Sequence, residues 1–135
     1  YRNLEHYGNP EKILSDVEKQ IHRRILLQTK TLILTPRYLV ELSDDICAII
    51  PLPEVLWIYD HAAMRRTIKG RQLSYTIHVV TMKGEEYTLT GKSHREVSAI
   101  YHELNTRYPN FFFGYSKEHQ EMVQYVLHEM KNEKA

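Results

Sequence analysis

Cysteine is almost missing from this chain: Cys47 stands alone among 135 residues, so no disulfide can form within it. Stability must come from burial and hydrogen bonding, and a chain of this length can bury a core without covalent staples. Net charge is nearly absent as well. Lys and Arg number 18 against 17 Asp and Glu, a formal balance of +1. No whole-molecule field therefore draws the chain to nucleic acid or membrane, and an electrostatic partner needs a local patch. Long apolar runs are lacking too. The longest, Ile46 to Tyr59, is cut by Pro51, Pro53 and Glu54, far short of the ~20 apolar residues that a spanning helix needs. There is no signal peptide pattern, internal repeat or low-complexity tract. The first residue is Tyr1 rather than Met; a preceding segment is expected, and a membrane anchor there is compatible with the rest.

What is present is ordinary globular material, 42% hydrophobic and 26% charged. Asn9-Pro10-Glu11 supplies an N-cap, a first-turn proline and an acid, and Ile13, Leu14, Val17 and Ile21 then recur on one face. This predicts an amphipathic helix over 10–24, closed by His22, Arg23 and Arg24. Short strands follow at 25–28, 31–35, 38–42, 46–50 and 55–59, separated by Thr29-Lys30, by Thr35-Pro36-Arg37, by the polar turn Ser43-Asp44-Asp45 and by Pro51-Leu52-Pro53. The 38–42 segment reads as half-buried, and Cys47, among Ile46, Ala48 and Ile49, as a buried small hydrophobe. Residues 60–72 lose alternation and read as a long polar connection. Strand pattern returns at 73–82, turns at Lys83-Gly84 and pairs back over 85–90. Ser93-x-x-Glu96 is a capping box opening a helix whose inner stripe is Val97, Ile100, Tyr101 and Leu104. An aromatic connector, Tyr108–Tyr115, leads to a last helix over 116–131, with Met122, Val123, Val126, Leu127 and Met130 facing inward.

About seven antiparallel strands followed by one capped helix is the order of a pleckstrin-homology-like (PH-like) barrel, and residues 25–107 match it. In the segments Leu34–Leu39, Ile50–Tyr59, the turn at Lys83-Gly84 and Phe113–Ser116, the chain resembles a group of uncharacterised bacterial proteins with a PH-like domain. That resemblance implies a non-enzymatic domain, sometimes joined to membrane helices outside the segment. PH-like domains elsewhere bind phosphoinositides, peptides or proteins, which is fold-level analogy. Phosphoinositide readers carry a Lys-x-Arg-type cluster on the first two strands, where this chain has only Lys30; the departure argues against specific phosphoinositide recognition.

Two sets of residues are candidates for contact. Arg65, Arg66, Lys69 and Arg71 concentrate positive charge in the 60–72 segment, with His61 near and only Asp60 to offset it. Such a cluster suits phosphate headgroups, nucleic-acid backbone or an acidic partner; against that stands a solvated connection whose charges keep a sheet edge from pairing. Trp57, Tyr59, Phe111, Phe112 and Phe113 suit the lining of a peptide or ligand groove; against that, they pack the sheet and seat the outer helices or, where exposed, form an interaction or dimer surface.

Reactive constellations fail on spacing. His94 and His102 are too far apart on one helix to chelate, His119 and His128 face opposite sides, and neither His102-Glu103 nor His128-Glu129 has the second histidine of a zincin. Thr90-Gly91-Lys92-Ser93 lacks the upstream glycine of a P-loop, having Glu86 there. Cys47 has no electropositive neighbour, and Asp60-His61 is a weak orienter–base pair because it is consecutive. The reading is a single α+β domain, 1–135: a PH-like antiparallel barrel or sandwich of about seven strands, capped by a C-terminal helix, with extra N- and C-terminal helices. Its expected role is non-catalytic binding or scaffolding, with no cofactor, no metal and no specific nucleic acid. The expected partner is a protein or an anionic membrane surface, at the inner face of a bacterial membrane, and a homodimer is compatible. The alternatives are a small-molecule-binding domain or an enzyme with a tertiary His/acid site, and a purely structural dimerisation domain.

Overall fold

Asn9 caps the first helix, α1 (Pro10–Arg23), its Oδ1 accepting from Glu11 N at 2.9 Å and Lys12 N at 3.3 Å. The computed structural model describes residues 2–42, 48–108 and 111–133. The turn at Ser43-Asp44-Asp45 and the burial of Ile46 and Cys47 lie outside the described residues, as does the middle of the 108–115 connector. Contacts divide the chain into two compact units, Tyr1–Glu54 with Ser98–Pro109, and Val55–Val97 with Asn110–Ala135.

The first unit is an antiparallel meander of β1 (Leu27–Gln28), β2 (Leu32–Leu34), β3 (Tyr38–Glu41) and β4 (Ala48–Pro51). Thr35 shapes the β2–β3 corner: its amide donates to Tyr38 O at 2.9 Å and its Oγ1 accepts from Tyr38 N at 3.0 Å. That closure sets the register Leu34↔Leu39, and Val40↔Ile49 follows on the far side. The apolar stripe of α1 meets this sheet. Ile13, Leu14 and Ile21 pack against a cluster of Val17, Tyr38, Val40, Ile49 and Leu4. Leu4 arrives from a 3-10 turn over Arg2–His6 that the sequence does not announce. Strand β3 is not half-buried: all four of its residues, Glu41 included, are buried, so both its faces are covered.

After Pro51 a 3-10 turn, Leu52–Glu54, ends the meander. Prolines lack the N–H that would pass a ladder onward. The strands form two four-stranded sheets, and the described residues contain no closed barrel.

The second unit holds β5 (Val55–Thr67), β6 (Gly70–Thr81), β7 (Glu86–Lys92) and β8 (Phe112–Phe113), in the order β7-β6-β5-β8. Here the sequence reading of 60–72 as a loop is overturned. Asp60 to Thr67 continue β5 and Gly70 to Gln72 begin β6, so the segment is the outer half of a long hairpin. At 13 residues, β5 spans roughly 40 Å at ~3.3 Å per residue. The aromatic connector is also more than a link: Phe112 and Phe113 pair in parallel with Trp57 and Ile58, making an eighth strand.

Helix α2 (His94–Arg107) starts with the expected reciprocal cap, Ser93 N donating to Glu96 Oε1 at 2.9 Å and Glu96 N to Ser93 Oγ at 3.2 Å. Its Val97, Ile100 and Leu104 are buried. In α3 (Lys117–Glu133), Val123 packs with Leu56, Trp57 and Val80, with Val126 and Leu127 beside them, whereas Met122 faces solvent rather than inward.

Candidate functional site

Alternate residues of a strand point to opposite faces, so the β5–β6 hairpin carries two different surfaces. On one face the cross-strand pairs run outward as Ile58↔Val79, Asp60↔Ile77, Ala62↔Tyr75, Met64↔Leu73 and Arg66↔Arg71. Ile58, Ile77 and Val79 are buried, but further out Met64 and Leu73 are 63% and 55% exposed, and Ile68 in the turn is fully exposed. Lys69 adjoins it. The structure thus places Arg66, Lys69 and Arg71 at the tip of a projecting arm, interleaved with three exposed apolar side chains, while Arg65 lies opposite Gln72 in the ladder. Arg66, Lys69 and Arg71 are exposed, like the three apolar side chains among them.

Beside the arm lies a cleft of about 630 Å³, within the range of ligand sites. Arg66, Lys69, Leu73, Lys92 and Glu96 are among its lining residues. Lys92 is 2% exposed. Three cations against one carboxylate, itself engaged as the cap of α2, give this cleft a positive balance.

The opposite face of the hairpin carries rings. Tyr59 stacks on His78 with centroids 4.6 Å apart, His78 on His61 at 5.0 Å, and Trp57 lies 4.3 Å from Tyr59. A fourth element joins them. Gly114 is held at three points: its amide donates to Ile58 O at 2.8 Å, and its carbonyl accepts from Trp57 Nε1 and His119 Nδ1, both at 2.9 Å. Tyr115, the next residue, is thereby carried over the sheet, 6.0 Å from Trp57 and 5.5 Å from Tyr59. Trp57, Tyr59, Tyr115, Glu86, Gln120 and Gln124 line a cavity of about 240 Å³. Of the aromatic candidates read from sequence, Trp57 and Tyr59 come together here. Phe112 packs on the core cluster around Trp57 and Val123, and Phe111 lies 6.1 Å from Phe113. Tyr115 is the residue sequence reasoning misses, because only the tie of Gly114 to β5 brings it over.

Glu86 brings a carboxylate to Tyr59 and His78. Its Oε1 accepts from the Tyr59 hydroxyl at 3.3 Å and lies 3.8 Å from His78 Nδ1. Burial raises the Tyr59 phenol, and the Glu86 carboxylate adds to it. Burial lowers the His78 imidazole, helped by His61 and opposed by Glu86. At 3.8 Å the Glu86–His78 approach is too long for a hydrogen bond. Asp60 and His61, as successive strand residues, project to opposite faces and do not form an orienter–base pair. Among the described residues no group of three or more His, Cys, Asp or Glu side chains is placed to hold a metal ion. No described helix is long and apolar enough to cross a membrane.

No curated protein and no solved structure matches the chain. A family model described as "Domain of unknown function (DUF6709)" matches residues 9–123, which takes in both sheets, the β5–β6 hairpin and the whole ring cluster, and the chain belongs to that family.

Proposed function

We propose that this protein is a non-catalytic binding module whose β5–β6 arm engages an anionic membrane surface. One observation carries the reading: Met64, Ile68 and Leu73 are exposed at the end of a two-stranded arm, flanked by Arg66, Lys69 and Arg71. Basic side chains adjoining bared apolar ones suit the boundary between headgroups and acyl chains. Each Lys or Arg near an anionic surface contributes about 1 kcal/mol, and the apolar tips add burial that a polar protein surface does not offer. Like charges directly opposite in a ladder oppose hairpin formation, so Arg66 facing Arg71 is a cost to the isolated arm that an anionic contact relieves. The PH-like reading, barrel or sandwich, is supported by chain order: a four-strand meander, a three-strand meander and then a capped helix. The inner, anionic face of a membrane is the location we infer on the same charge argument, and that the membrane is bacterial rests on the resemblance in sequence alone.

The test is co-sedimentation with vesicles of phosphatidylglycerol and phosphatidylcholine, against phosphatidylcholine alone. Binding should need the anionic lipid, weaken with salt, and be lost on combining Arg66→Glu, Lys69→Glu and Arg71→Glu, while Ile68→Ser weakens it without altering net charge. Failure of the unaltered protein to sediment with anionic vesicles at low salt would end the proposal.

A further inference from the structure

The outer half of β5 has a ladder on one side only. β6 accompanies it from Trp57 to Thr67, whereas on the other side β8 pairs with Trp57 and Ile58 and goes no further. One bond shows which groups face that side: Ile58 O accepts from Gly114 N at 2.8 Å, so Ile58 turns its backbone groups away from β6. In an antiparallel ladder, hydrogen-bonded and non-hydrogen-bonded positions alternate. The register is unbroken from Trp57 to Thr67, so Ala62, Met64 and Arg66 likewise point N–H and C=O outward. No strand among the described residues pairs with them there. Open edges are usually blunted by proline, by a bulge, by shortness or by charge. Residues 59–67 contain no proline, and the one irregularity of β5 lies between Val55 and Trp57.

Charge, the remaining guard, is here complementary to itself. The stretch reads Asp60-His61-Ala62-Ala63-Met64-Arg65-Arg66, with an acid and a base at equal distances from Ala63. A second copy laid antiparallel must set outward-pointing residues opposite outward-pointing ones. Beyond Thr67 the chain turns, and Ile58 is already bonded to Gly114. Two registers then engage Ala62, Met64 and Arg66 together. Centred on Met64, the pairing sets Met64 against itself and Arg66 against Ala62. Centred on Ala63, it sets Ala62 against Met64 and Arg66 against Asp60, each twice by symmetry. Only the second brings opposite charges across the join, a pairing that stabilises a ladder. Within its own hairpin Arg66 faces Arg71, so Asp60 of the second copy supplies the opposite charge that its own ladder lacks. The same register lays the exposed Met64–Leu73 pair of one copy beside Ala62 and Tyr75 of the other, extending one apolar row across the join. The outer part of β6 offers no such match, because residues 70–74 carry Arg71 and no acid. We propose that two copies of this chain associate through the outer edges of β5, antiparallel about Ala63, to form one continuous sheet.

Sedimentation velocity in buffer without lipid should show a concentration-dependent equilibrium of monomer and dimer. Ala62 is exposed and its N–H faces the open edge, so Ala62→Pro removes a donor to the second copy and none to β6. That variant should be monomeric at every concentration, with an unchanged circular dichroism spectrum. Asp60→Arg and Arg66→Asp each set like charges opposite and should each weaken association about tenfold, and combining them should restore it to within about threefold. The register has its own readout. Opposed residues of a non-hydrogen-bonded pair lie about 4.5 Å apart at Cα, within reach of a disulfide. Ala63→Cys should therefore cross-link under mild oxidation, with peptide mapping placing the link between two copies of position 63 and not at Cys47. Met64→Cys should not link, since each copy of that position stands opposite Ala62. None of these measurements includes lipid, so their outcome is independent of vesicle binding by the arm's tip. A protein that stays monomeric at all concentrations, a dimer untouched by Ala62→Pro, or linking at position 64 in preference to 63 would overturn the assignment.

Discussion

His78 Nε2 lies 3.1 Å from His61 Nδ1, joining the two strands of the hairpin through a pair of overlapping imidazoles. Such a bond needs one nitrogen to donate and the other to accept, so it fails when both rings are protonated. Tyr59 stacks on His78 from β5 and Glu86 approaches it from β7. Burial and His61 together hold His78 below its ordinary value of 6.5. A histidine depressed in the folded state binds fewer protons there than when unfolded. Its contribution is complete above pH 6.5 and is lost as the pH falls from there through the folded-state value. Urea midpoints should therefore drop between neutral pH and about pH 5, and His78→Gln should flatten that drop. An unchanged slope in the variant would place the acid sensitivity elsewhere.

Arg66 opposite Arg71 makes a second prediction, in which stability and binding move in opposite directions. Arg71→Glu turns a like-charge cross-strand pair into an attractive one, worth roughly 0.2–1 kcal/mol. Both residues are exposed, so salt screens part of this. The melting temperature should hold or rise slightly while sedimentation with anionic vesicles falls severalfold. A drop in both would mean that Arg71 supports the fold.

The hairpin also shows what the sequence can and cannot declare. Capping at Asn9, Ser93 and Ser116, the stripe of α1 and the turn at Lys83-Gly84 are legible because each is a local interaction between neighbours in the chain. The outer hairpin is not, since neither of its faces is buried and nothing forces Asp60 to Arg66 to alternate. Its one local signal is Lys69-Gly70, which repeats Lys83-Gly84, both glycines having positive φ. The two-residue strand Phe112–Phe113 is too short for any period. Tyr115 reaches the ring cluster only through the pinned Gly114, a tertiary fact with no sequence signature. The basic candidates were legible as a cluster, but not the apolar residues across the ladder that give the cluster its character.

Leu4 tests the least announced part of the core. It has no exposed surface and packs with Val17, Tyr38, Val40 and Ile49, although its neighbours in sequence are polar. Leu4→Ala removes buried methyls and leaves a cavity, at a cost of about 2–5 kcal/mol for a site that cannot collapse. Urea unfolding at neutral pH measures it. A change below about 0.5 kcal/mol would show that the Arg2–His6 turn is not docked in solution.

Tyr38 gives a prediction at the alkaline end. Its hydroxyl donates to Asp16 Oδ2 at 2.6 Å, and burial, the hydrogen bond and the Asp16 charge together push it from 10.0 to about 12, with Arg37 opposing. A phenol raised in the folded state contributes stability that is complete below pH 10 and lost as the pH climbs toward 12. Tyr38→Phe should cost about 1 kcal/mol at neutral pH, the net worth of one hydrogen bond, since Asp16 is open enough to be solvated in its place. In a spectrophotometric titration the variant should lose a phenolate step at the high end, leaving the lower steps unmoved. Its stability should also fall less steeply above pH 10 than that of the unaltered protein. If the lost step instead lay near 10, the bond to Asp16 would be absent in solution, and α1 would be joined to β3 by apolar packing alone.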